Sequence, residues 1–68
     1  MAVSARNQLK GEITDIVLGA VMAHITISVG ENVIESVITR RSADEMKLKK
    51  GDKVTAVIKA TEVLVAKP

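Results

Sequence analysis

From Val21 to Val29 an apolar side chain stands at every second position: Val21, Ala23, Ile25, Ile27 and Val29, with Met22, His24, Thr26 and Ser28 between them. Successive side chains of a strand point to opposite faces, so this pattern buries one face and leaves the other free. A helix would scatter the same residues around its axis. A membrane helix over Ile16 to Val29 is excluded, because the run is too short and contains His, Thr and Ser.

The remaining elements follow from this strand. Leu9, Gly11 and Ile13 alternate with Lys10, Glu12 and Thr14, which predicts a half-buried strand before it, broken at Gly19. Gly30-Glu31-Asn32 turns the chain into a third strand, with Val33, Val37 and Thr39 on one face and Ile34 and Ile38 on the other. Ser42-Ala43-Asp44-Glu45 reads as a capping box that starts a short helix. Ser42 is then the N-cap, Asp44 and Glu45 lie in the first turn, and Met46 and Leu48 reach the core. Lys49-Lys50-Gly51 ends the helix, and Gly51-Asp52 turns into a fourth strand over Lys53–Ala60. Glu62–Val65 makes a fifth.

Three strands, a helix and two strands predict an all-β fold in one domain over residues 1–68. The expected architecture is a five-stranded, partly open Greek-key barrel of the oligonucleotide/oligosaccharide-binding (OB) type, with the short helix between strands 3 and 4. A chain of 68 residues has a thin core. It is 47% apolar without one Phe, Tyr or Trp, so the core is aliphatic and the surplus must cover contacts between subunits. Strand edges point the same way. An oligomer is expected.

Composition also removes functions. No Cys means no disulfide, thiolate metal site or cysteine nucleophile, and a reducing cytoplasmic setting is permitted. No export leader is read at the start. A net charge of +2 and the lack of aromatics argue against nucleic acid. The carboxylates are scattered, and the single His24 has no soft neighbour to share a metal, so neither an enzyme nor a direct protein–metal site is expected. His24 reads first as a residue on the strand face opposite the core. A sharper reading places it near a symmetry axis, where it would respond to pH.

The hydrogen-bond donors carry more. Ser4, Arg6, Asn7, Thr39, Ser42 and Lys59 fall at strand ends or at the helix start. Hydroxyls, cations and free helix N–H groups together suit an anion. Each alone has a structural reading: Ser42 a cap, Lys59 a solvated strand lysine, Arg6 a terminal residue.

Three blocks set this chain beside a known family. Ser4-Ala5-Arg6-Asn7-Gln8, Val37-Ile38-Thr39-Arg40-Arg41-Ser42-Ala43, and Gly51 through Val63 resemble a molbindin, a single Mop domain, across essentially the whole length. The resemblance implies an OB-type barrel assembled as a hexamer, a trimer of dimers, that binds molybdate or tungstate between subunits. It implies a stand-alone storage form without a DNA-binding or nucleotide-binding domain, and no cofactor. Carried onto this chain, Ser4, Ala5, Arg6 and Asn7 would come from one subunit. Thr39, Ser42, Ala43 and Lys59 would come from another, with Ala60 giving backbone only, where some relatives carry a hydroxyl. A second class of oxyanion site, on threefold axes, would lie at Gly19, Ala20, Val21 and Met22.

The residue types suit that ligand. Molybdate is a dianion whose oxygens only accept hydrogen bonds, so its site needs donors and no carboxylate. Charge-assisted donors contribute most. Phosphate keeps a proton part of the time and loses a bond in such a site; sulfate is smaller; tungstate nearly matches molybdate. The rival readings are an OB-type nucleic-acid module and a ligand-free structural assembly module. The second offers no reason for the donor set.

Overall fold

The computed structural model describes residues 3–68; Met1 and Ala2 lie outside the described residues. Its order is β1 (Asn7–Leu18), β2 (Met22–Val29), β3 (Asn32–Thr39), α1 (Arg40–Glu45), β4 (Lys53–Ile58) and a 3₁₀ turn at Ala60–Glu62. The strands form one antiparallel sheet in the order β3-β2-β1-β4.

Strand β1 is long because it serves two partners. Its first half pairs with β4, from Asn7 opposite Ile58 to Glu12 opposite Lys53. Its second half pairs with β2, from Glu12 opposite Ser28 to Leu18 opposite Ala23. A bulge between Ile13 and Asp15 bends it where the partners change over, as an unpaired extra residue does. Just before the bulge, a Cβ on Gly11 would stand 2.5 Å from the Ser28 carbonyl oxygen and 2.8 Å from the Ile27 side chain. Only glycine lets β1 approach β2 so closely there.

The alternation read from the sequence holds from Ala23 onward; Val21, its first member, precedes the strand and is 72% exposed. Ala23, Ile25 and Ile27 of β2 are buried with Ile13, Ala43 and Ala56, while Met22 and His24 face outward. Ile34 and Ile38 of β3 pack against this core, and Val33 and Val37 stay exposed on the other face. The apolar surplus does lie on the surface: Val17, Val21, Met22, Val33 and Val37 are all exposed.

Three expectations need correction. The fifth strand at Glu62–Val65 does not form. The chain turns through 3₁₀ at Ala60–Glu62, and Leu64 and Val65 are 93% exposed without a ladder partner. Four strands therefore leave β3 and β4 as free edges, and an apolar cleft of about 240 Å³ lies open between residues such as Ile34, Ile38, Val54 and Ile58. The helix starts earlier than Ser42. Thr39 is its N-cap, and Asp44 and Glu45 sit in its last turn. It also stops earlier, at Met46. Leu48 N–H bonds Ala43 O and Lys47 N–H bonds Asp44 O, a Schellman closure with Lys47 in the left-handed region (φ 52) that glycine usually takes. The closure sends Leu48 to the core as expected, but leaves Met46 58% exposed.

Among the described residues no helix is long and apolar enough to cross a membrane.

Candidate functional site

Two of the expected donors meet at the start of α1. Strand β3 ends on Thr39, whose extended backbone (φ −70, ψ 148) lets its side chain turn back over the first helical turn. Its Oγ1 accepts from the Ser42 N–H at 3.1 Å and donates to Ser42 Oγ at 2.8 Å. The one proton of the Thr39 hydroxyl is thus committed, while the Ser42 hydroxyl keeps its own proton to give away. Ala43, beside them, is buried in the core and anchors the turn.

Free helix N–H groups contribute less than the sequence suggests. The Arg40 N–H bonds Val21 O at 2.7 Å, and the Ser42 N–H is taken by Thr39. Only the Arg41 N–H of this first turn has no partner among the described residues. The donors here are chiefly side chains.

Charge at this end is balanced. Arg40 pairs with Asp44 at 3.2 Å and Arg41 with Glu45 at 3.1 Å. A depression beside Thr39 is lined by Ala20, Val21 and these four charged residues. Cations at a helix start and carboxylates at its end oppose the macrodipole, and the Arg-first order is the weaker i,i+4 arrangement. Pairs this exposed contribute little to stability.

The other expected donors lie elsewhere. Asn7 stands opposite Ile58 and its Nδ2 donates to Ile58 O at 3.3 Å. The block Ser4–Asn7 and the pair Lys59–Ala60 therefore flank the same end of the sheet in one chain. Ala5 O accepts from Gln8 Nε2 at 3.3 Å, and Ser4, Arg6 and Lys59 are exposed. Asn7 marks one end of β1. Leu18 marks the other, beside Ala23 and hence beside the Met22–Thr39 pair. One chain thus brings Thr39, Ser42 and Ala43 together at one end of β1, and Ser4–Asn7 with Lys59 and Ala60 at the other. Sequence spacing does not place Lys59 with the N-terminal block.

The turn Gly19–Met22 adjoins the helix start. Gly19 N–H donates to Met22 O at 2.8 Å, and a Cβ on Gly19 would meet that oxygen at 2.9 Å. Arg40 Nη1 donates to Gly19 O at 3.1 Å. Sequence reading misses Arg40. Two arginines opening a helix against its dipole are the available signal.

Outside this region, Asp52 accepts from the Lys49 N–H at 3.0 Å and pairs with the Lys49 ammonium, which hold its carboxyl below the usual value. His24 Nε2 lies 3.1 Å from Glu35 Oε1 on the outer sheet face. No group of three or more His, Asp or Glu able to hold a metal occurs among the described residues.

Comparison with known proteins adds to this geometry. Residues 3–65 match the model of the TOBE domain. Molybdenum-pterin-binding protein 1 of Clostridium pasteurianum is 41% identical over 66 residues, covering 96% of this chain and 97% of that protein. A molybdate-binding protein from Sporomusa ovata superposes with a TM-score of 0.93 at 42% identity, over 98% of this chain and all of that one. The cytoplasmic molybdate-binding protein ModG, solved with molybdate bound, gives 0.84 at 39% identity over 88% of this chain and 43% of its own length.

Proposed function

The chain belongs to the TOBE-domain family as a molbindin-type Mop domain, and from that premise we propose that it binds molybdate and tungstate between copies of itself, for cytoplasmic storage or homeostasis of molybdenum. It acts as a binding protein and not as an enzyme.

The observation that carries this reading is the split donor set. Ser42 keeps a hydroxyl proton to donate at one end of β1, next to Thr39 and the depression whose own charges cancel, while Arg6 and Lys59 are exposed at the other end. An oxyanion at Ser42 needs cations beyond its own chain's paired arginines, and a second copy brings them as Arg6 and Lys59; this assigns Lys59 to the copy that gives Arg6, where the family resemblance alone assigns it to the copy that gives Thr39. Such a site contains Ser4, Ala5, Arg6 and Asn7 from one copy and Thr39, Ser42 and Ala43 from the next. Lys59 and Ala60 close it, and Ala60 offers backbone only. Gly19, Ala20, Val21 and Met22 would form the second class of site. Exposed Val17, Val33, Val37, Leu64 and Val65, with the open β3–β4 cleft, give an assembly ample apolar surface to cover. The expected assembly is a hexamer, a trimer of dimers.

Calorimetric titration with molybdate, with sulfate and phosphate as competitors, tests the reading. Binding that excess sulfate does not displace is expected. Arg6→Ala and Lys59→Ala should each weaken it by about tenfold or more, the scale of a lost charge-assisted bond, and Lys10→Ala far less. Equal losses in all three would reduce the effect to general charge attraction. Because the ligand binds only the assembled state, saturating molybdate should also raise the thermal midpoint.

A further inference from the structure

Arg40 occupies the junction between the two groups assigned to oxyanions. Its backbone N–H donates to Val21 O at 2.7 Å, its Nη1 to Gly19 O at 3.1 Å, and its Nε to Asp44 at 3.2 Å. It also directly follows Thr39, which orients Ser42. Its side chain is 39% exposed, whereas that of Arg41 is 88% exposed and pairs only along the helix.

The peptide unit is planar and trans, so its C=O and N–H point in opposite directions. Drawing the carbonyls of Gly19 and Val21 toward Arg40 turns the N–H groups of Ala20 and Met22 away from it. Carbonyl oxygens repel an oxyanion and N–H groups attract one. A residue that holds two carbonyls of a tight turn therefore decides which face of that turn receives an anion. Its guanidinium also fixes where the turn lies relative to the Thr39–Ser42 pair.

We infer that Arg40 is a positioning residue for oxyanion binding: it clasps the Gly19–Met22 turn to the helix start and presents the donors of both. The inference rests on the oxyanion reading above. Arg40 touches no ligand in it. By linkage, an anion seated at one group then favours the clasped arrangement at the other, and the effect is reciprocal.

Arg40→Ala and Arg41→Ala remove the same charge from adjacent positions, but only the first removes the guanidinium bond to Gly19 O; the backbone bond to Val21 O stays in both. Sodium molybdate is titrated into both variants and into Arg40→Lys, at a temperature where circular dichroism shows all of them folded. Amide hydrogen exchange of the ligand-free proteins is followed at Gly19, whose N–H closes the turn on Met22 O. Arg40→Ala should bind molybdate about tenfold more weakly or worse, Arg41→Ala within about twofold of the unaltered protein, and Arg40→Lys close to Arg40→Ala, because an ammonium keeps the charge without the fork. Exchange at Gly19 should quicken in Arg40→Ala and not in Arg41→Ala. Equal losses of affinity in Arg40→Ala and Arg41→Ala, unaltered affinity in Arg40→Ala, or unaltered exchange in it each overturns the positioning role. Absence of molybdate binding in the unaltered protein overturns the oxyanion reading instead, and the exchange result then decides the clasp by itself.

Discussion

Strand β2 and the C-terminal segment after β4 are built from the same kind of residue and meet opposite fates. Ala23, Ile25 and Ile27 are buried, with β1 on one side and β3 on the other. Val63, Leu64 and Val65 are equally aliphatic, yet Leu64 and Val65 are almost fully exposed and no strand flanks them. The strand preference of such residues reflects packing on a half-buried pleated surface more than any property of the backbone. Where neighbours exist on both sides the preference becomes a strand; where none does, it stays unspent. Apolar content therefore says how much surface must be covered, and pairing says which part the chain covers itself.

Substitution separates the two regions. Ile25→Ala removes methylenes from the centre of the sheet and should cost about 2–5 kcal/mol in denaturant unfolding; a cost under about 1 kcal/mol would mean that the core collapses around the gap. Gly11→Ala drives a methyl against the Ser28 carbonyl and the Ile27 side chain where β1 meets β2, and should cost about 1–3 kcal/mol. A neutral result would show that β1 and β2 can separate there without loss. Thr39→Ala deletes the helix cap, at about 1 kcal/mol by thermal unfolding, and it also frees Ser42 from its partner. Thr39→Ser should recover most of both.

Acid titration gives a smaller effect. The Lys49 N–H and ammonium lower the folded-state pKa of Asp52 below its ordinary 3.8. The contribution is therefore present above the unfolded-state value and fades as pH falls through the folded one. Asp52→Asn should lower stability slightly at neutral pH, where the contribution is present, leave the most acidic values unchanged, and so flatten that acid limb of the stability curve. The smallest effect should come from Leu64→Ser. At dilutions where chains are separate, its unfolding free energy should stay within about 0.5 kcal/mol of the unaltered protein. A loss near that of Ile25→Ala would return the C-terminal segment to the core and erase the contrast with β2.

Part of the candidate site is legible in the sequence. Ser4, Arg6, Asn7, Thr39, Ser42 and Lys59 stand out as donors at element ends, and the three motif blocks tie them to a family. Their grouping is not legible there. The Asn7–Ile58 pair sets Lys59 beside the N-terminal block of its own chain, and the Met22–Thr39 pair sets the Gly19–Met22 turn beside the helix. Both pairings join residues far apart along the chain. The capping-box pattern points to Ser42, three residues past the actual N-cap, because Thr39 and Ser42 are both good caps at that spacing. Thr39 takes the role because β3 delivers it in extended conformation, which a cap requires.

The sequence by itself determined the all-β class, the three leading strands, the buried parity of β2 and the division of β3 into two faces. Period two is a local property: neighbouring side chains of a strand cannot share a face, so residues a few positions apart settle it. It also determined that the apolar surplus would reach the surface, since a short chain cannot enclose it. The tertiary structure alone decided that the sheet stops at four strands, that β1 changes partner at its bulge, and that Arg40 reaches back across the fold to Gly19. Those outcomes depend on which distant segments win each other's edges, and that competition is settled only when the whole chain packs.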